Sequence, residues 1–183
     1  MKTIRIDSTI YTGKPDGANR LPKEMATYTF LDKLAIPYFR LDHDETASIE
    51  VCHEVEKLLG ITICKNLFLC NSQKTSFYLL MMPGHKKFLT KDLSQQINSS
   101  RLSFADAQYM EEYLNIQPGS VSVLGLMNDK SNLVKLLIDK EVLNDEYIGC
   151  HPCVNTSSLK IRTTDLLNKF LPGTGHAPTL VEL

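Results

Sequence analysis

Two apolar runs set close together limit what this chain can fold into. Leu67-Phe68-Leu69-Cys70 and Phe77-Tyr78-Leu79-Leu80-Met81-Met82 are each of strand length and carry no charge. A strand that is apolar at every position must be covered on both faces, which points to a mixed α/β sheet rather than an open sheet with one wet face. Asn71-Ser-Gln-Lys-Thr75 is a turn and Pro83-Gly84 ends the second run, so the pair reads as a hairpin.

Helical patterns surround this hairpin. Pro22 at a first helical position begins a helix with Met25, Tyr28, Leu31 and Leu34 on one side, stopped by Ile36-Pro37. Tyr38-Phe-Arg-Leu41 is a short strand leading into the polar cluster Asp42-His-Asp-Glu45. Ser48 is positioned to cap a second helix, with Val51, Val55, Leu58 and Leu59 on its apolar stripe and Gly60 as its stop. Glu50, His53, Glu54 and Glu56 lie off that stripe and read as a solvated face. Thr90 is placed to cap a short helix carrying Leu93 and Ile97. Ser103-Phe-Ala-Asp106 has the spacing of a capping box before a helix with Met110, Tyr113 and Leu114.

Further on, Gly119 to Met127 alternates Ser120 and Ser122 with Val121 and Val123, the period of a strand with one polar face. Leu133 to Ile138 is another strand, Leu166, Leu167 and Phe170 belong to a last helix that begins at Thr163 or Thr164, and Thr179 to Val181 is a terminal strand. The expected fold class is α/β: one mixed, partly closed, barrel-like sheet with about five helices packed outside. Residues 1–183 are expected to form a single domain. Ile4, Ile6 and Ile10 alternate before the turn-rich Gly13-Lys-Pro-Asp-Gly17, so residues 1–20 read as a peripheral lead-in.

The formal charge of −1 provides no broad surface for duplex nucleic acid or anionic lipid, although a partner presenting a few phosphates is compatible with it. His85-Lys86-Lys87 with Lys91 is the densest basic patch and reads either as a solvated loop or as a phosphate contact. There is no secretory leader pattern and no apolar run of membrane-spanning length, so the expected location is the cytosol. Five irregularly spaced cysteines fit reduced thiols in that compartment.

Chemistry is concentrated in Ile148-Gly-Cys-His-Pro-Cys-Val-Asn-Thr-Ser-Ser-Leu159. Gly149 and Pro152 restrict the backbone, as in a strand bent where polar groups converge, and in an extended segment His151 and Asn155 face one side. Cys150 and Cys153 have the gap of a thiol redox pair, but Val-Asn-Thr-Ser-Ser is a poor start for the helix such a pair opens. Cys52, Cys64 and Cys70 provide no second ligand pair for zinc. A polar pocket for a small group is the third reading. The chain contains no Gly-x-Ser-x-Gly elbow, no phosphate loop, no dinucleotide-binding turn and no His-Glu-x-x-His, which removes the common hydrolase, NTPase, dehydrogenase and zincin plans.

Four stretches, in order, resemble the YbaK-like, prolyl-tRNA-synthetase-associated domains that hydrolyse misacylated tRNA. They are Lys65-Asn-Leu-Phe-Leu69, Arg101-Leu-Ser-Phe-Ala105, Gly119-Ser-Val-Ser-Val-Leu-Gly-Leu126 followed by Asn128-Asp129, and Ile148-Gly-Cys-His-Pro-Cys-Val-Asn-Thr156. The likeness runs from Pro22 to His176 and is greatest to the free-standing branch that clears alanine from tRNA(Pro). It departs at Val123, where the family's Gly-x-x-x-Pro loop has proline.

The resemblance implies an aminoacyl-tRNA deacylase that uses water rather than a protein nucleophile, with no metal or cofactor. By that likeness Lys65 binds the terminal ribose-phosphate region or the acyl carbonyl, and the backbone at Gly119 and Ser120 approaches the carbonyl and the water. His151 and Asn155 wall the pocket, Asn66 holds the 3'-terminal nucleotide, and Ser122 and Thr156 complete the substrate-binding set. The implied partners are the 3' end of mischarged tRNA(Pro) and, secondarily, prolyl-tRNA synthetase. Editing is needed because one missing methylene changes binding by only about 1–3 kcal/mol. Cysteine is the competing amino acid, and a non-catalytic module binding tRNA or the synthetase is the alternative of a different class.

Overall fold

The computed structural model describes residues 5–45 and 49–183, with Ile49 and Glu50 described by backbone alone. The elements begin β1 (Tyr11–Thr12), α1 (Pro22–Lys33), β2 (Tyr38–Asp42), α2 (Ile49–Leu59), β3 (Lys65–Asn71), β4 (Phe77–Met82), α3 (Thr90–Gln96), β5 (Leu102–Phe104) and α4 (Ala107–Leu114). A 3-10 turn (Val123–Asn128) leads to β6 (Val134–Asp139), and another (Lys140–Asn144) to β7 (Tyr147–Cys150) and β8 (Ser157–Arg162). One last helical stretch passes from α5 (Thr163–Asp165) through a π turn (Leu166–Phe170) into α6 (Leu171–Thr174), followed by β9 (Pro178–Val181).

The expected hairpin is the spine of the larger sheet. β3 and β4 pair antiparallel with Lys65 opposite Met82 and Cys70 opposite Phe77. Every residue of β4 is buried, and the two faces feed different cores. Phe77, Leu79 and Met81 join the main core with α1 and α4, while Tyr78, Leu80 and Met82 pack in a second core with Leu93 and Leu102. The order of this sheet is β5-β3-β4-β6-β9, with β6 and β9 added in parallel.

The second sheet has the order β1-β2-β8-β7 and is antiparallel throughout. The expectation of one barrel-like sheet is therefore corrected: two sheets lie side by side, and among the described residues a single parallel bridge, Ile63 to Gly149, joins them. The bridge does not grow into a ladder because β7 ends at Cys150 while the other chain turns into β3 to pair with β4. Residues of the lead-in belong to this second sheet, since Tyr11 pairs with Arg40 across β1 and β2.

Several local expectations change. Gly119 to Met127 is not a strand: Gly119 adopts φ +88, and Ser122 accepts a hydrogen bond from the Leu124 N–H at 3.2 Å to cap the 3-10 turn. Val123 occupies the first position of that turn, where proline is well tolerated, so the Ser122 cap fixes a conformation that proline would otherwise enforce. Ser103 lies in β5 and forms no capping box, and Asp106 is the residue before α4 without a side-chain cap. Thr90 is already inside α3, with Leu89 before it. The segment from Ile148 to Leu159 is not one bent strand but a hairpin, β7 and β8 joined by the loop His151–Thr156, with Cys153 at φ +61. Ile4 and Ser48 lie outside the described residues. No helix is long and apolar enough to cross a membrane among the described residues.

Candidate active site at the seam between the sheets

A glycine lets the two sheets meet closely at the seam. A Cβ on Gly149 would come within 2.6 Å of Ile61 Cδ1, 3.0 Å of Ile63 Cγ1 and 3.4 Å of Ile63 Cα. Only glycine lets the two chains approach this closely with unstrained side chains. Beside the bridge lies a cavity of about 230 Å³. Cys64 and Asn66 reach it from the start of β3, Gly119 and Val121 from the loop after α4, and His151 and Ser158 from the β7–β8 hairpin. Wider hollows, about 550 Å³ beside Tyr147 and about 660 Å³ beside α3, contain none of the expected site residues.

Three of the expected residues thus share one cavity: Asn66, Gly119 and His151. Lys65 does not line it. Side chains alternate along a strand, so Lys65 points away from the face that Cys64 and Asn66 share. It is exposed, and its Nζ donates to the Lys86 carbonyl at 2.8 Å. Ser120 is buried behind the loop, and its N–H donates to the Gln117 carbonyl at 3.1 Å, closing the turn at Pro118-Gly119. Ser122 is fully buried as the cap already described. Asn155 stands beside the loop, with its Nδ2 3.5 Å from where a Gly119 Cβ would lie and donating to Glu45 Oε1 at 3.3 Å. Thr156 is exposed, and its carbonyl accepts the His43 N–H at 3.0 Å.

Two polar residues of this site were not anticipated from sequence. Ser158 lines the cavity and shares a 2.9 Å hydrogen bond with His43 Nε2, while His43 Nδ1 donates to the Asp44 carbonyl at 2.9 Å. The His43 and His151 rings lie edge to face with centroids 6.3 Å apart. Burial lowers the pKa of each imidazole, so both are neutral near pH 7. His151 Nδ1 donates to the Ser157 carbonyl at 2.9 Å. His43 belonged to a visible polar cluster, but its partner lies across the β2–β8 register, where Leu41 faces Ser158, and no local pattern encodes that.

Behind the hairpin an ionic network fixes its position. Arg20 donates to Asp42 Oδ2 at 2.6 Å and to Glu24 Oε1 at 2.8 Å, Arg40 is also paired with Asp42, and the Ser157 hydroxyl donates to Asp42 Oδ1 at 2.7 Å. Burial works against ionised Asp42, but hydrogen bonds from Arg20, Arg40 and Ser157 outweigh it and hold its carboxyl below the ordinary range. Ser157 therefore carries both an anchor to α1 and, through its carbonyl, the orientation of His151.

The thiol reading loses its nucleophile. Cys150 and Cys153 are buried free thiols; burial pushes Cys153 up to about 11 and Cys150 higher still, leaving little thiolate at neutral pH. Within the basic patch, Lys86 pairs with Asp139 and Glu141 at 3.0 Å and His85 lies 3.2 Å from Glu141. Among the described residues no group of three or more His, Cys, Asp or Glu is gathered for a metal.

Comparison with known proteins identifies the family. A family model described as the aminoacyl-tRNA editing domain matches residues 43–169, which include the cavity-lining residues. The chain is 29% identical over 160 residues to the prolyl-tRNA editing protein ProX of Acetoanaerobium sticklandii, covering 87% of this chain and 97% of that one. It is 30% identical over 156 residues to prolyl-tRNA synthetase associated domain-containing protein 1 of Bos taurus, covering 82% and 90%. In fold it is similar to the crystal structure of a candidate trans-editing enzyme for prolyl tRNA synthetase, with a TM-score of 0.65 at 14% identity over 89% of this chain and 98% of that one. The chain therefore belongs to the aminoacyl-tRNA editing domain family and is a hydrolase of that class, an aminoacyl-tRNA deacylase.

Proposed function

We propose that the chain removes a wrong amino acid, alanine before others, from tRNA(Pro) by directing water at the aminoacyl ester. The observation that carries this reading is the size and place of the seam cavity. At about 230 Å³ it falls below the range of about 300–1,000 Å³ typical of drug-sized ligands, and it is lined by Asn66, Gly119 and His151 together. The name of the Acetoanaerobium relative supports tRNA(Pro) as the carrier, and prolyl-tRNA synthetase is the second candidate partner.

The ester is already activated by its neighbouring ribose hydroxyl, so the protein has to orient and to stabilise charge rather than form a covalent intermediate. Gly119, without a side chain and at φ +88, brings backbone close to the scissile carbonyl and the attacking water, with Ser120 closing the turn behind it. His151 and Asn66 hydrogen-bond the bound acyl end, Asn155 holds the loop edge, and Thr156 lies at the exposed rim. Lys65 sits outside the cavity at the start of β3, where its flexible stem can exchange the Lys86 carbonyl for a phosphate oxygen of the terminal nucleotide.

The test is release of amino acid from alanyl-, cysteinyl- and prolyl-tRNA(Pro). Alanine is expected to leave fastest and proline to stay attached; equal rates for all three overturn the alanine assignment, and binding without release favours the non-catalytic module. Lys65→Ala is expected to raise KM for the tRNA with a smaller change in kcat, and unchanged kinetics would remove Lys65 from the site.

A further inference from the structure

Lys65 points away from the cavity, and the register of the larger sheet decides what it meets instead. Lys65 is opposite Met82 in the β3–β4 pair, and β6 runs beside β4 with Leu80 opposite Leu137 and Met81 opposite Ile138. Paired residues share a face, so Lys65, Met82 and Asp139 lie in one row on the side that carries the second core. The loop after β4 spans this row through Lys86. The Lys86 N–H donates to the Pro83 carbonyl at 3.3 Å, and the Lys86 carbonyl accepts from Lys65 Nζ at 2.8 Å. Lys86 Nζ donates to Asp139 Oδ1 and Oδ2, each at 3.0 Å, and Glu141 Oε2 lies 3.0 Å from the same nitrogen.

Asp139 is a fixed point for this arrangement. Its carboxylate is buried and also accepts the Glu141 N–H at 2.9 Å and the Leu183 N–H at 3.1 Å. Three carboxylate oxygens at 3.0 Å match the three N–H donors of Lys86, so its ammonium has none left for a phosphate. Its backbone carbonyl is thereby pinned beside Lys65. Resting on the reading above that Lys65 meets the tRNA, we infer that Lys86 is a positioning residue, which holds the Lys65 ammonium at the rim before the tRNA arrives. Lysine is among the side chains that lose most rotamer freedom on ordering, and a stem ordered in advance costs the complex less. The Lys86 carbonyl takes one N–H of the Lys65 ammonium and leaves two for a phosphate oxygen of the terminal nucleotide. The lysine in the middle of the basic loop therefore serves the tRNA through another lysine.

The experiment is a double-mutant cycle on deacylation of alanyl-tRNA(Pro) by the full chain. Lys86→Met is expected to raise KM roughly threefold to tenfold with kcat within about twofold, because it frees the Lys65 stem without touching the ester. Lys86→Arg, which can keep the carboxylate contacts, should restore KM. In a Lys65→Ala background, Lys86→Met should change KM no further. If Lys86→Met raises KM by the same factor in both backgrounds, the positioning role is overturned and Lys86 is a tRNA contact of its own. An unchanged KM for Lys86→Met in the wild-type background overturns the role outright. If Lys65→Ala itself leaves KM unchanged, the assignment of Lys65 fails first and the positioning role falls with it. Where Lys86→Met does not fold because Asp139 is left buried and unpaired, Lys86→Met combined with Asp139→Asn removes both charges and is read in the same cycle.

Discussion

Gly149→Ala tests whether the seam shapes the site. The added methyl would stand 2.6 Å from Ile61 Cδ1, 3.0 Å from Ile63 Cγ1 and 3.4 Å from Ile63 Cα. Ile61 is partly exposed and can swing its terminal methyl aside; Ile63 Cγ1 sits next to the backbone of the inter-sheet bridge and can yield only if that bridge lengthens. Overpacking costs about 1–3 kcal/mol, and the yielding of Ile61 places this case at about 1–2 kcal/mol. At about 2–4 °C per kcal/mol for a domain of this size, Tm should fall by about 2–8 °C. Ile63 also lines the cavity and precedes Cys64 and Asn66, so its displacement moves those groups away from Gly119 and His151. Misplacing a reacting group by about 1 Å can cost a hundredfold, and the few tenths of an ångström expected here should lower kcat/KM for alanyl-tRNA(Pro) roughly tenfold. Gly17→Ala is the control: its methyl would lie at an ordinary 3.6 Å from Met25 Cε, and neither Tm nor kcat/KM should change. If Gly149→Ala behaves like Gly17→Ala in both thermal melting and deacylation, the close approach of the sheets does not set the cavity.

Asp129→Asn should cost about 2–4 kcal/mol in a denaturant titration, because the buried carboxylate accepts from Leu133 N–H at 3.0 Å, Val134 N–H at 2.7 Å and His176 Nε2 at 3.1 Å. Its kcat should stay close to wild type, and a large loss of kcat at intact stability would contradict this purely structural role. Burial lowers the pKa of His43 and His151 below the ordinary 6.5, so the unfolded chain takes up protons first as pH falls through 6.5. Stability should be level with respect to these groups above that pH and should decline below it by at most about 1.4 kcal/mol per pH unit for each histidine. Denaturant titrations at several pH values check this, and a decline that survives unchanged in His43→Gln and His151→Gln would assign it elsewhere. Cys150→Ala with Cys153→Ala should retain deacylation with or without reductant, whereas loss of activity restored only by reductant in the wild type would revive the thiol reading.

The sequence was most informative where one physical requirement dominated. The β3–β4 hairpin followed from two runs too apolar to face water, and α1 and α2 followed from stripes with clear stops at Ile36-Pro37 and Gly60. Alternation misled in Gly119 to Met127, because Ser122 caps a 3-10 turn with its hydroxyl and Ser120 closes the preceding turn through its backbone N–H. β5 is three residues long and leaves no periodicity to detect. The number of sheets was not legible, because whether strands close into one barrel depends on which edges meet, and here that depends on a single bridge at Gly149.

The site was legible as a set of residue types but not as a set of protons. His151, Gly119 and Asn66 could be singled out from their stretches, and they do meet. What the residue types do not reveal is the direction of three hydrogen bonds to backbone carbonyls, those of Cys64, Ser157 and Asp44. Each carbonyl takes one N–H of a nearby side chain, which fixes the tautomers of the two imidazoles and the orientation of the Asn66 amide. Two of the three bonds span at most two residues, yet their effect on the cavity depends on the β2–β8 register, which places Ser158 within 2.9 Å of His43. Ser158, which lines the cavity, is held there by His43, and no local pattern in the chain joins the two.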